Sequence, residues 1–296
     1  MIGRSRIGSD DTNSLYSFIR HKPMATLLKS LRRQMNAYGA FAAMTPKLYL
    51  AYNMWVWMEF VAQIITMTIF VYFWRAVYAS TMTLGGLNLQ QTINYILLAQ
   101  VLAPLVETRL IFHFGFLIRG GALAVELVRP TDLQGRFYVE NMAGLVLYVF
   151  QKLPLIVIAV LFFGLQIPLD PAAWSAFLIS VILGRSVLFF FDWIFACLAF
   201  YSTETWGLSV VRVGVAAFFS GVLVPLAMMP DWLQRIAVAL PFAQALAVPV
   251  SLLSGITPVA DAPRVWLVQL IWLAAMFVLS RLVFNIAIRK ITVQGG

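Results

Sequence analysis

The sequence predicts an all-α protein that crosses a membrane several times, and three observations carry that prediction. Apolar residues make up 61% of the 296 residues and charged ones only 11%, whereas a water-soluble domain carries about 25% charged residues to face solvent. The apolar residues gather in runs of about twenty, the length a helix needs to cross about 30 Å of hydrocarbon. These runs are apolar all round, without the alternation of a spanning β-barrel. The Lys and Arg residues fall unevenly between the runs, as membrane sidedness requires. A net charge of +9 is therefore read as sidedness, and nucleic acid is not an expected partner. The single cysteine, Cys197, excludes a disulfide framework, and two histidines make a His/Cys metal centre unexpected.

Residues 1–48 are expected to be cytoplasmic and lack the apolar core of a signal peptide. Within them Leu27, Leu28, Leu31, Met35, Tyr38, Phe41 and Ala42 recur at helical spacing, opposite Lys29, Arg32, Arg33, Gln34 and Asn36. That pattern predicts an amphipathic helix lying on the membrane surface. Residues 49–290 form a membrane domain of six spans, at about 53–74, 92–111, 144–165, 173–200, 208–228 and 265–287. The second is the weakest, because it holds Pro104, Glu107 and Arg109, and the fourth is long enough to tilt. Between spans five and six, Pro225, Pro230, Pro241, Pro249 and Gly255 break the apolar chain. Short broken helices at the outer leaflet, or a re-entrant hairpin, fit better there than a seventh span. A short cytoplasmic tail, 291–296, ends the chain.

Orientation follows from the basic residues. Eight Lys and Arg before the first span share one side with Arg119, Arg129, Arg136, Arg289 and Lys290, against Arg75, Arg235 and Arg264 on the other. The positive-inside rule then places both termini in the cytoplasm, beneath the inner (cytoplasmic) membrane.

An ionisable group at bilayer depth needs a partner, water or a function. Glu59 in span one either lines a substrate path, or lies close enough to the interface to be solvated or paired with a neighbouring helix. Arg185 and Asp192 stand seven residues apart in span four, about 10 Å along a helix, so each is expected to pair with another helix. Lys152 is expected to snorkel toward an edge. Arg212 in span five reaches either the headgroups or a central cavity. Tyr52 and Trp55 fit an interfacial belt, or equally a groove for an amphipathic substrate. Together Tyr52, Trp55, Glu59, Arg212 and Phe218 form the candidate substrate path. No phosphate loop, H-E-x-x-H or G-x-S-x-G pattern occurs, so no catalytic residue is assigned.

Two stretches then carry a resemblance. The loop after span two reads Ile118-Arg119-Gly120-Gly121-Ala122-Leu123, then Glu126-Leu127-Val128-Arg129-Pro130. After span five come Ser220-Gly221-Val222-Leu223-Val224-Pro225-Leu226, Met229-Pro230-Asp231-Trp232-Leu233-Gln234 and Leu240-Pro241-Phe242. Together they resemble permease subunits of ABC-2 type ABC transporters, although Ala122 stands where many members carry an acidic residue. The resemblance implies a dimer, of two copies or of two different permeases, working with separate P-loop ATPase subunits that bind ATP and Mg. It assigns ATPase coupling to residues 31–38 and 119–136, among them Arg119, Gly120, Gly121, Glu126, Arg129 and Pro130. It makes Pro225, Trp232, Pro241 and Phe242 outer-gate elements, with Trp232 and Phe242 in the outer interface. Spans one and five are the expected dimer contact, given Gly214, Ala217 and Gly221. The implied activity is export of an amphipathic or hydrophobic substrate, such as a drug-like compound, a lipopeptide or a lipid-linked glycan. A membrane-embedded lipid-modifying enzyme, a secondary transporter and a non-transporting scaffold are the alternatives.

Overall fold

The computed structural model describes residues 53–105, 110–129, 131–202 and 205–290, with Asn36 and Gly39 before them. The amphipathic helix expected across Leu27 to Ala42 and the tail 291–296 lie outside the described residues. The described residues are helical, apart from connecting turns and one isolated bridge between Leu84 and Leu87. In chain order the helices are α1 (Asn53–Val77), α2 (Leu89–Leu102), α3 (Leu110–Arg119), α4 (Ala122–Val128), α5 (Leu133–Phe163) and α6 (Pro171–Ala196). They continue as α7 (Trp206–Phe219), α8 (Asp231–Val238), α9 (Pro241–Ala245), α10 (Ala247–Leu253) and α11 (Ala262–Ala287).

Four stretches are long and apolar enough to cross a membrane: Trp57–Val77, Leu133–Phe163, Pro171–Phe200 and Val259–Ala287. They correspond to expected spans one, three, four and six. Their ends follow local chemistry. Asp132 caps α5 by accepting the Gly135 N–H at 2.6 Å. At its other end Gly164 turns left-handed, with φ 72°, and lets the Leu165 N–H bond back to the Ala159 carbonyl at 3.1 Å. Asp170 caps α6, and Pro171 occupies its first turn, where a missing N–H costs nothing.

Spans two and five are not the single helices expected. α2 tightens into a 3-10 turn at Ala103–Leu105, around Pro104, and helix is next described from Leu110. α7 runs for only 14 residues, about 21 Å. It stops because Gly221 adopts φ 83°, and Pro225 then opens a 3-10 turn, Leu226–Met228. The reading of span five as a helix to residue 228 is corrected accordingly. Beyond it, α8 and the stretch Pro241–Leu253 meet at a 68° bend, as short broken helices.

α6 is the central post. Its most apolar stretch is 61% buried, against 17% for each of the other long helices, and α3, α9, α10 and α11 pack on it. A Cβ at Gly184 would collide with the Gln244 carbonyl oxygen, so glycine brings the α9 backbone directly against α6. From α11, the Gln269 amide donates to the Ser180 carbonyl at 3.1 Å, the Ser180 hydroxyl at 2.9 Å and the Gln244 carbonyl at 2.9 Å. An aromatic core at the opposite end surrounds Trp193, with Phe114 at 4.9 Å, Phe284 at 5.3 Å and Phe137 at 5.7 Å.

Candidate functional site

At the end of the bundle that carries Arg119 and Arg136, α3 and α4 meet at a bend of 100°. Gly120 and Gly121 make it. The Gly120 N–H reaches the Phe116 carbonyl at 3.0 Å and the Gly121 N–H reaches the Ile118 carbonyl at 3.1 Å, and Gly121 sits at φ 69°, where a side chain would be strained. α4 then turns Leu123 inward and leaves Val125 and Val128 exposed. Glu126 pairs with Arg129 at 3.3 Å and with the buried Arg136; Arg136 in turn faces Glu140 at 3.9 Å. Arg119 ends α3 on the surface, and Pro130 lies outside the described residues.

The sequence reading passed over a clamp at this same end. Asp132 takes both Arg281 amino groups, at 2.6 and 2.7 Å, and Gln134 donates to the Ser280 hydroxyl at 2.7 Å. Both contacts tie the start of α5 to the last turns of α11. Partial burial alone would raise the Asp132 carboxyl, but the Arg281 bonds, the Gly135 N–H and the Arg281 charge together hold it below its usual range. The partners are 149 residues apart. The only signal in sequence is that an Asp before span three and an Arg near the end of span six fall at the same membrane face.

Within the apolar zone Lys152 does not snorkel. Its ammonium donates to Glu59 at 2.7 Å and to Gln63 at 2.5 Å, and lies 4.9 Å from the Tyr148 ring. The Lys152 side chain is 7% exposed and that of Glu59 is 58% exposed. The buried ammonium is held by a carboxylate, so Glu59 pairs with a neighbouring helix, as one of its expected readings had it, whereas the edge-seeking reading of Lys152 is overturned. Gln63 passes the network on to the Gln100 carbonyl at 2.6 Å, and the Gln100 amide reaches the Val222 carbonyl at 3.2 Å. Val222 sits in the break after α7, so this bond satisfies backbone that no helix satisfies.

Arg185 and Asp192 each pair with another helix, as expected. Arg185 donates to Asn141 at 2.9 Å, and Asp192 accepts from Arg212 at 2.8 Å. The Arg212 and Asp192 side chains are 1% and 3% exposed, so Arg212 is enclosed in the bundle rather than at the headgroups. Its guanidinium lies 5.7 Å from the Phe242 ring. A residue assigned to the path and one assigned to the gate thus touch. The interfacial placement of Phe242 is overturned: it is 3% exposed and packs on Phe191 at 5.0 Å, because α9 tucks into α6. Trp232 is exposed, Pro225 and Pro241 are buried at the start of their turns, and Phe218 is half-exposed on α7. Tyr52 and the side chain of Trp55 lie outside the described residues. A Cβ at Gly214 would meet open space, whereas Gly221 is filled from within by Tyr95 and Ala247; of the proposed contact residues, Gly221 is unavailable to a second copy.

A family model described as "ABC-2 family transporter protein" matches residues 62–295. The chain belongs to this family. The match covers every described helix except the first turns of α1. Neither a curated protein nor a solved structure matched the chain. As an ABC-2 permease it is a membrane component of an ABC transporter, and permeases of this family generally pair with ATPase subunits. The 100° turn and the α5–α11 clamp, and the Glu59 and Arg212 clusters, therefore belong to a transport subunit rather than to a catalytic one.

Proposed function

We propose that this ABC-2 permease exports an amphipathic or hydrophobic substrate, driven by ATP hydrolysis on separate subunits that dock at the α3–α4 turn. The observation that carries the reading is that turn. It carries the exposed Val125 and Val128 on the stretch between the exposed Arg119 and Arg129, the mix of apolar and charged side chains from which protein interfaces are built. The turn belongs on the cytoplasmic side, with both termini, because the basic residues gather there. Glu126 and Arg136 lie behind the turn, so a push on α4 reaches the start of α5 through an ion pair. Glu59, exposed on α1, marks the path.

The test is purification of the tagged chain in mild detergent, with identification of what travels with it and an ATP-hydrolysis assay of the eluate. The reading expects a P-loop ATPase at equal stoichiometry, and a second permease in the eluate identifies a heteromer. A chain that emerges alone from several detergents, without ATP hydrolysis, refutes it.

A further inference from the structure

The Glu59 cluster can be taken further by accounting for every hydrogen-bonding group in it. Lys152 has three N–H bonds: two go to Glu59 and Gln63, and the ammonium also faces the Tyr148 ring. Gln63 accepts from Lys152 and donates to the Gln100 carbonyl. The Lys152 ammonium is thus turned inward, toward Glu59, Gln63 and the Tyr148 ring. What remains at the surface is acceptor capacity on the Glu59 carboxylate, whose side chain is 58% exposed. The ion pair is moreover a dipole with its positive end buried and its negative end outward.

A carboxylate so placed does not face lipid at no cost. Glu59 stands two residues into the apolar stretch Trp57–Val77, and Lys152 stands eleven residues before the end of α5, so the carboxylate opens at the edge of the apolar zone while the ammonium behind it is buried. The same face of α1 continues as Ala62, Ile69 and Phe73, all exposed, which follow Glu59 by three, ten and fourteen residues and so share one helical stripe. A negative, acceptor-only spot thus opens onto an apolar strip.

We propose that Glu59 binds the protonated amine of an amphipathic cargo whose apolar part lies along Ala62, Ile69 and Phe73. This rests on the permease reading and names the substrate class for it. The same ammonium chemistry exists on a soluble amine and on an ethanolamine lipid headgroup.

The test uses the purified full-length chain in phosphatidylcholine nanodiscs, whose headgroup has no N–H to compete. Dansylcadaverine, which carries a primary amine, is compared by fluorescence anisotropy with its N-acetyl derivative, empty discs being subtracted. The wild type binds the amine about tenfold more tightly than the acetylated probe, and Glu59→Gln removes that difference. Ala62→Trp, which keeps the Glu59–Lys152 pair and fills the exposed strip beside it, also abolishes binding, so the proposal does not depend on Glu59→Gln folding. Equal binding of the two probes by the wild type, as when a second copy covers Glu59, overturns the proposal. So does amine binding that survives in both variants. Addition of phosphatidylethanolamine distinguishes the sources: competition identifies a lipid cargo, and no competition a soluble amine. Glu59-dependent binding in a chain that recruits no ATPase would refute the permease partner alone, whereas an ATPase-bound chain without such binding would refute the amine alone.

Discussion

Replacing Asp192 with leucine removes the carboxylate to which the buried Arg212 guanidinium donates. The pair is 1% and 3% exposed, so the surface value of about 0–1 kcal/mol does not apply. Breaking a buried pair by removing one partner costs about 3–5 kcal/mol, mostly the penalty of the charge left behind. Asp192→Leu should therefore lower the midpoint of thermal unfolding, followed by fluorescence-detected gel filtration, by about 10 °C. Adding Arg212→Met removes the buried charge as well, and the double variant should recover most of the loss. A double variant no more stable than Asp192→Leu would refute the reasoning, as would a single variant that melts like the wild type. The recovered protein also tests the path assignment: a stable double variant that no longer transports makes Arg212 a substrate contact, and one that transports makes it structural.

Three further predictions concern other elements. Gly184→Ala should cost about 1–3 kcal/mol, because its methyl group meets the Gln244 carbonyl and backbone must shift; the same melting assay reads it. Glu126→Ala with Arg129→Ala should insert normally yet lose the coupling of ATP hydrolysis to transport, and unchanged substrate-stimulated hydrolysis would count against the coupling role. The Asp132 carboxyl is held low by Arg281, so its contribution to stability is full above the ordinary Asp range, near about 4, and is lost as pH falls through the depressed value. Acidification should loosen the end of α11, read as faster amide exchange near Arg281. Asp132→Asn should already exchange fast at neutral pH, with no further change.

Much of the architecture was legible because hydropathy is a local property. α1, α5, α6 and α11 each rest on a continuous apolar run, and the Gly120–Gly121 turn and the proline breaks were visible in the chain. The tightening of α2 was foreshadowed by Pro104, Glu107 and Arg109, but the early end of α7 was not, because the residues around Gly221 remain apolar while the backbone leaves the helix. The charge partners were illegible for a different reason. Lys152 and Glu59 are 93 residues apart, and a lysine reaching a lipid edge has the same local sequence as one reaching a carboxylate. Phe242 misled because an aromatic beside a break is as compatible with an interface as with a core; only the close approach at Gly184 decides it.

That close approach also bears on how the end of the bundle that carries α8, α9 and α10 can move. The hairpin bearing Phe242 is fastened to α6 by contact of backbone with backbone at Gly184, and Gln269 joins it to α6 and α11 at Gln244. A flap swinging on a free hinge would have to break these joints at every cycle. The hairpin and the two helices should instead travel as one body, so spin labels on Ser251 and Val265 should keep a constant separation between nucleotide states. On the side toward α1 and α2, by contrast, the break after α7 is joined by the Gln100–Val222 bond, at 3.2 Å, which such a motion would have to break.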